Sequence, residues 1–94
     1  MRVITILIFL FLMVHVSAQK TTLDSLLNLL THAKEDTGKA DLLYAVAEEF
    51  ENSAPDKARY YITLGNELSK KLNYKKGILK SYRLISYVLS YQSK

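Results

Sequence analysis

Lys75-Lys76-Gly77-Ile78-Leu79-Lys80-Ser81-Tyr82-Arg83-Leu84-Ile85-Ser86-Tyr87-Val88-Leu89-Ser90-Tyr91-Gln92 is the stretch on which the reading of this chain turns. At helical spacing Ile78, Tyr82, Ile85 and Leu89 fall on one line, while Leu79, Val88 and Tyr91 fall on others, so apolar side chains surround most of the circumference. A helix that ends a closed domain keeps one face polar for water. This one expects neighbours on two sides, the condition of a helix inside a stack of hairpins. With Lys94 the last residue, the reading expects a fragment or truncated form of a longer protein.

Upstream, three more helices are legible. Ser53-Ala54-Pro55-Asp56 predicts a start, with Ser53 as cap, a proline in the first turn and an acid three residues after the serine. Behind it Ala58, Tyr61, Ile62, Gly65, Leu68 and Leu72 form a stripe ending at Asn73-Tyr74. Gly65 lowers helix propensity by about 1 kcal/mol relative to Ala, which predicts close approach of a neighbouring helix there. Before this, Leu43, Val46, Ala47 and Phe50 predict a helix over about 39–51, with Glu48, Glu49 and Glu51 toward water. Leu23, Leu26, Leu27 and Leu30, widened by Leu29, predict a leading helix over about 23–34, opened by Thr21 and Asp24 and broken at Asp36-Thr37-Gly38.

The N-terminus supplies an address. Met1-Arg2 is followed by an apolar run from Val3 to Val14 and by the small residues of Val16-Ser17-Ala18, the order of a secretory signal cleaved before Gln19. About a dozen apolar residues span only ~18 Å as a helix, short of the ~30 Å hydrocarbon core. The expected organisation is therefore a signal peptide over 1–18, a leading helix over 19–36 and a hairpin region over 37–94. The mature chain would be periplasmic or extracellular, and would touch a membrane only through an uncleaved signal or a segment downstream of Lys94.

Composition excludes most chemistry. Roughly 75 mature residues hold a marginal core and little room for a dry catalytic cleft. The chain has no cysteine, so disulfides, thiolate metal sites and cysteine nucleophiles are ruled out. His32 is the one mature histidine and sits near a helix C-terminus, where a cation is favoured. Glu48, Glu49 and Glu51 have no spacing of three-and-four pairs with a histidine, so no metal site is expected. Phosphate loops, dinucleotide turns and nucleophile elbows are absent from the sequence. A noncatalytic protein without cofactor follows.

An internal repeat is visible. Val46-Ala47-x-x-Phe50 and Ile85-Ser86-x-x-Leu89 share large, small and large positions at an offset of 39 residues, and Ala58-x-x-x-Ile62-x-x-Gly65 between them reads small, large, small. Together these resemble the tetratricopeptide repeat: one full repeat over about 39–72 and the first helix of another over about 75–92. With the signal peptide and the run from Pro55-Asp56-Lys57-Ala58 to Lys75-Lys76-Gly77-Ile78, the chain is similar to the exported N-terminal repeat regions of bacterial sensor histidine kinases and related regulators. The resemblance implies an all-α solenoid of antiparallel hairpins that binds protein or peptide along a concave surface. Tyr44, Glu48, Glu51, Lys80, Arg83 and Tyr87 are the candidate groove residues. It leaves two other readings open, a signal-input region whose output domain lies elsewhere and a small ligand-binding helical bundle.

Charge is divided along the chain. Residues 19–56 hold three lysines and eight acids, whereas residues 57–94 hold nine cations and one acid. Lys70, Lys71, Lys75, Lys76 and Lys80 surround Tyr74, a pattern that single-stranded nucleic acid could use; in an exported chain it is read as a solvated hairpin turn, with no nucleic-acid partner expected. The uncovered last helix predicts self-association instead.

Overall fold

In a computed structural model, which describes residues 22–93, α-helix is the only regular structure among the described residues. Helix α1 covers 22–32, α2 Thr37–Phe50, α3 Pro55–Lys71 and α4 Lys75–Gln92. The expected signal peptide and the Thr21 cap lie outside the described residues.

Local chemistry sets the boundaries, and two of them differ from expectation. Asp36 does not simply break the chain: its carboxylate accepts the Lys39 amide at 3.1 Å and caps α2, so Thr37 and Gly38 form the first turn. Ser53 does not cap α3. Pro55 takes the first helical position and holds the residue before it extended, which makes Ala54 the cap, at φ −145°, with no side-chain acceptor to offer. The end of α3 is closed by Asn73 in the left-handed region, φ 57°. There the Tyr74 amide reaches the Ser69 carbonyl at 2.7 Å and the Asn73 amide reaches Lys70 at 3.1 Å, the paired bonds of a Schellman motif.

Helix α3 lies between its neighbours and packs on both α2 and α4. One apolar cluster joins all three through Tyr44, Ala47, Ala58, Ile62, Leu84 and Val88, with Phe50, Tyr61 and Ile85 against its edge. A second joins Ala40 and Leu43 of α2 to Leu68 of α3 and takes up Leu30 of α1. The inner face of α1, Leu23, Leu26, Leu27 and Leu30, is half-buried, while Asp24, Ser25, Asn28, Thr31 and His32 are exposed. Leu29 does not join the inner stripe and is 56% exposed. Apart from Leu29, the outward face of helix α1 is therefore polar. The Lys71–Glu35 ion pair, 3.0 Å, ties the end of α3 to the α1–α2 connection, and this hydrogen bond and the Lys71 charge hold the Glu35 carboxyl below its usual range.

Small residues set how closely the helices approach. A methyl group at Gly65 would lie 2.5 Å from the Tyr44 ring, and one at Gly77 would meet the Ser69 hydroxyl and the Tyr74 ring. The close approach expected at Gly65 is therefore present, and its partner is Tyr44.

Candidate interaction surface

The six sequence-derived candidates separate into three groups. Tyr44 leaves the list: it is fully buried. Its hydroxyl donates to the Gly77 carbonyl at 2.7 Å, and because a phenol has one proton, the Ser69 hydroxyl, 3.2 Å away, must donate to it. The residue joins α2, α3 and α4 from inside. Helical spacing placed it one step from the exposed Glu48, but Gly65 leaves room for an inward ring.

Glu48 and Lys80 are brought together. Their side chains form an ion pair at 3.2 Å across α2 and α4, and the Lys80 ammonium lies 5.9 Å from the centre of the Tyr44 ring. Both remain partly open to water, so the pair orients the two helices more than it stabilises them.

Glu51, Arg83 and Tyr87 stand apart. Glu51 is at the C-terminal cap of α2, where partial burial, and then the Glu48 charge, push its carboxyl above the usual range. Arg83 and Tyr87 are exposed on α4 and make no side-chain hydrogen bond among the described residues. Arg83 borders a surface hollow of about 310 Å³ together with Lys76, Leu79 and Lys80. Lys76 and Leu79 were not among the candidates. The signal that could have found Lys76 is its spacing of four and seven residues from Lys80 and Arg83, which sets three cations on one edge of the helix.

The lysine-rich turn is partly neutralised from within. Lys71 pairs with Glu35 and Lys80 with Glu48, while the Tyr74 hydroxyl donates to Asp41 at 2.9 Å. That hydrogen bond, followed by burial and the Asp41 charge, raises the Tyr74 phenol above its ordinary value.

Two further hollows exist. One of about 280 Å³ lies between α2 and α3, lined by Leu43, Leu64 and Leu68 and by the charges of Glu35, Lys39, Glu67 and Lys71. The other, about 140 Å³, lies between α3 and α4 and is lined by Ile62, Thr63, Asn66, Ser81, Tyr82 and Ile85. His32 lines neither: its Nδ1 donates to the Asn28 carbonyl at 3.0 Å within its own helix. Among the described residues no group of three acidic, histidine or cysteine side chains converges on a point, and no helix is long and apolar enough to cross a membrane.

The unequal cover of α4 is the most informative feature. Gly77, Ser81, Leu84 and Val88 form its buried stripe, whereas Leu79, Tyr82, Tyr87, Leu89 and Tyr91 are exposed, from 45% to 69%. No family model, curated protein or solved structure matches the chain.

Proposed function

We propose that this is an exported, noncatalytic protein-interaction module built as a tetratricopeptide-like stack, and that it binds protein or peptide on the face shared by α2 and α4. The observation that carries this reading is the cover of α4, buried along one narrow stripe and open on both flanks, together with a helix α1 whose exposed residues other than Leu29 are polar. That asymmetry suits a stack capped at one end and available at the other. Ala47, Ala58 and Gly65, the small residues of the repeat-like pattern, are all buried, which supports this reading. On the α2/α4 face Arg83 and Tyr87 are the contact residues, with the Glu48–Lys80 pair on the same face.

Selection of a random peptide display library on the full chain tests the reading. An enriched peptide should lose at least tenfold in affinity against Arg83→Glu and little against the control Lys57→Glu, which alters α3 instead. Absence of any enriched peptide, or equal losses in the two variants, would overturn it. A signal-input role draws on the same uncovered flanks of α4, since a neighbour packed there would report any strain that binding places on the α2/α4 face.

A further inference from the structure

The flank of α4 turned away from Arg83 and Tyr87 carries Ile78, Tyr82, Ile85 and Leu89, and it continues into the cleft that Ile62, Thr63 and Asn66 of α3 form with Ser81, Tyr82 and Ile85. Ile85 rests on the core, Ile78 is half-buried, and Tyr82 and Leu89 are 52% and 47% exposed. This stripe has a symmetry of its own. Ile78 and Leu89 are equidistant from the point midway between Arg83 and Leu84, and so are Tyr82 and Ile85. Rotating the helix by a half-turn about that point therefore superimposes large apolar residues on large apolar residues. A surface that maps onto itself in this way is what an isologous two-fold interface needs.

Charge selects the orientation. The four cations of α4, Lys75, Lys76, Lys80 and Arg83, all precede the midpoint, the second half has none, and the helix contains no acid. A parallel pair of such helices would set each cation against its own copy. An antiparallel pair instead sets the cationic first half of each helix beside the uncharged second half of the other, whose helix C-terminus attracts cations.

We propose that the uncovered flank of α4 is closed by α4 of a second copy, antiparallel about a two-fold axis between Arg83 and Leu84, with Ile78 against Leu89 and Tyr82 against Ile85 of the second copy. Each α4 then supplies the antiparallel helix the other lacks. Helix α4 is about 27 Å long, so one helix and its adjoining cleft bury an area near the lower end of stable interfaces, roughly 1,200 Å² in total. The interface leaves the α2/α4 face free, so the dimer and the peptide-binding reading can fail separately.

The chain has no cysteine, which makes positional cross-linking clean. Full chains carrying Ile78→Cys or Leu89→Cys are mixed and oxidised in air. Antiparallel pairing predicts the mixed 78–89 disulfide as the main dimer, at least tenfold over either homodimer, because equivalent positions in the two copies are then ~16 Å apart along the axis. The pair Lys75→Cys and Gln92→Cys, both exposed and equidistant from the same midpoint, repeats the test without touching the apolar stripe. Adding Tyr82→Glu should abolish the mixed product in both pairs. Homodimers as abundant as the mixed product, or no cross-link beyond that of a Lys57→Cys control, would overturn the proposal and leave the flank to a different protein.

Discussion

Tyr44 shows what one side chain can do in a chain with so small a core. Its ring fills the crossing left by Gly65, and its hydroxyl ends in two hydrogen bonds, to Gly77 and Ser69. Tyr44→Phe keeps the ring and removes the bonds, leaving the Ser69 hydroxyl buried without its acceptor, so a loss of about 1–2 kcal/mol is expected in denaturant melts. Gly65→Ala gains about 1 kcal/mol in helix propensity but drives a methyl group into a ring pinned at its far end, and overpacking of this kind costs about 1–3 kcal/mol. The net effect should be destabilising. The two changes should also couple: once the hydroxyl is gone the ring can shift, so Gly65→Ala should cost less in the Tyr44→Phe background, by at least about 0.5 kcal/mol in a double-mutant cycle. Strict additivity would show that the ring is not pinned. Gly65 was legible in the sequence as a close approach, because a mid-helix glycine needs a reason. Its partner was not, because the inward turn of Tyr44 depends on Ser69 and Gly77, which lie 25 and 33 residues away.

Among the elements, boundaries written in local chemistry were the legible ones. The ends of α3 and α4 fall within a residue of the expected places, since Pro55, Asn73 and the apolar spacing act over a few residues. Helix starts set by a competition between neighbours were less so. Ser53 carries the preferred capping side chain, yet the ring of Pro55 fixes the geometry and gives the position to Ala54. Asp36 reads as a breaker from one side and is a cap from the other. The α3–α4 turn gives a sharp test because Asn73 alone among non-glycine described residues has a positive φ. Asn73→Gly should be neutral or slightly stabilising, whereas Asn73→Val, β-branched in a left-handed position, should cost about 1–2 kcal/mol or more. Equal melting temperatures for the two variants would mean that the Schellman turn does not set the angle between α3 and α4.

At the scale of the whole molecule, stability should fall off from α2 and α3 toward the end of α4. Helices α2 and α3 share both apolar clusters, whereas α4 belongs only to the first, and after Val88 the exposed Leu89 and Tyr91 leave its last turn with little tertiary packing. Such an element opens without global unfolding. Amide hydrogen exchange on the dilute chain should therefore show α2 and the middle of α3 protected to nearly the global free energy, and the amides of 86–92 exchanging through local opening at least a hundredfold faster. This gradient was foreseeable only in part. The sequence shows that α4 has more apolar surface than one neighbour can cover, but which residues stay open depends on how α3 meets it, through the Asn66–Ser81 hydrogen bond at 2.7 Å and the Ser81 bond to Ile78. The exchange gradient also distinguishes a loose end from an interface. If α4 of a second copy covers the stripe, protection over 78–92 must rise with protein concentration while that of α2 stays constant, and Tyr82→Glu must remove the rise. Protection of 86–92 that is uniform with α2 in the dilute monomer would show instead that α4 is held by its own chain, and the picture of a stack open at one end would fail.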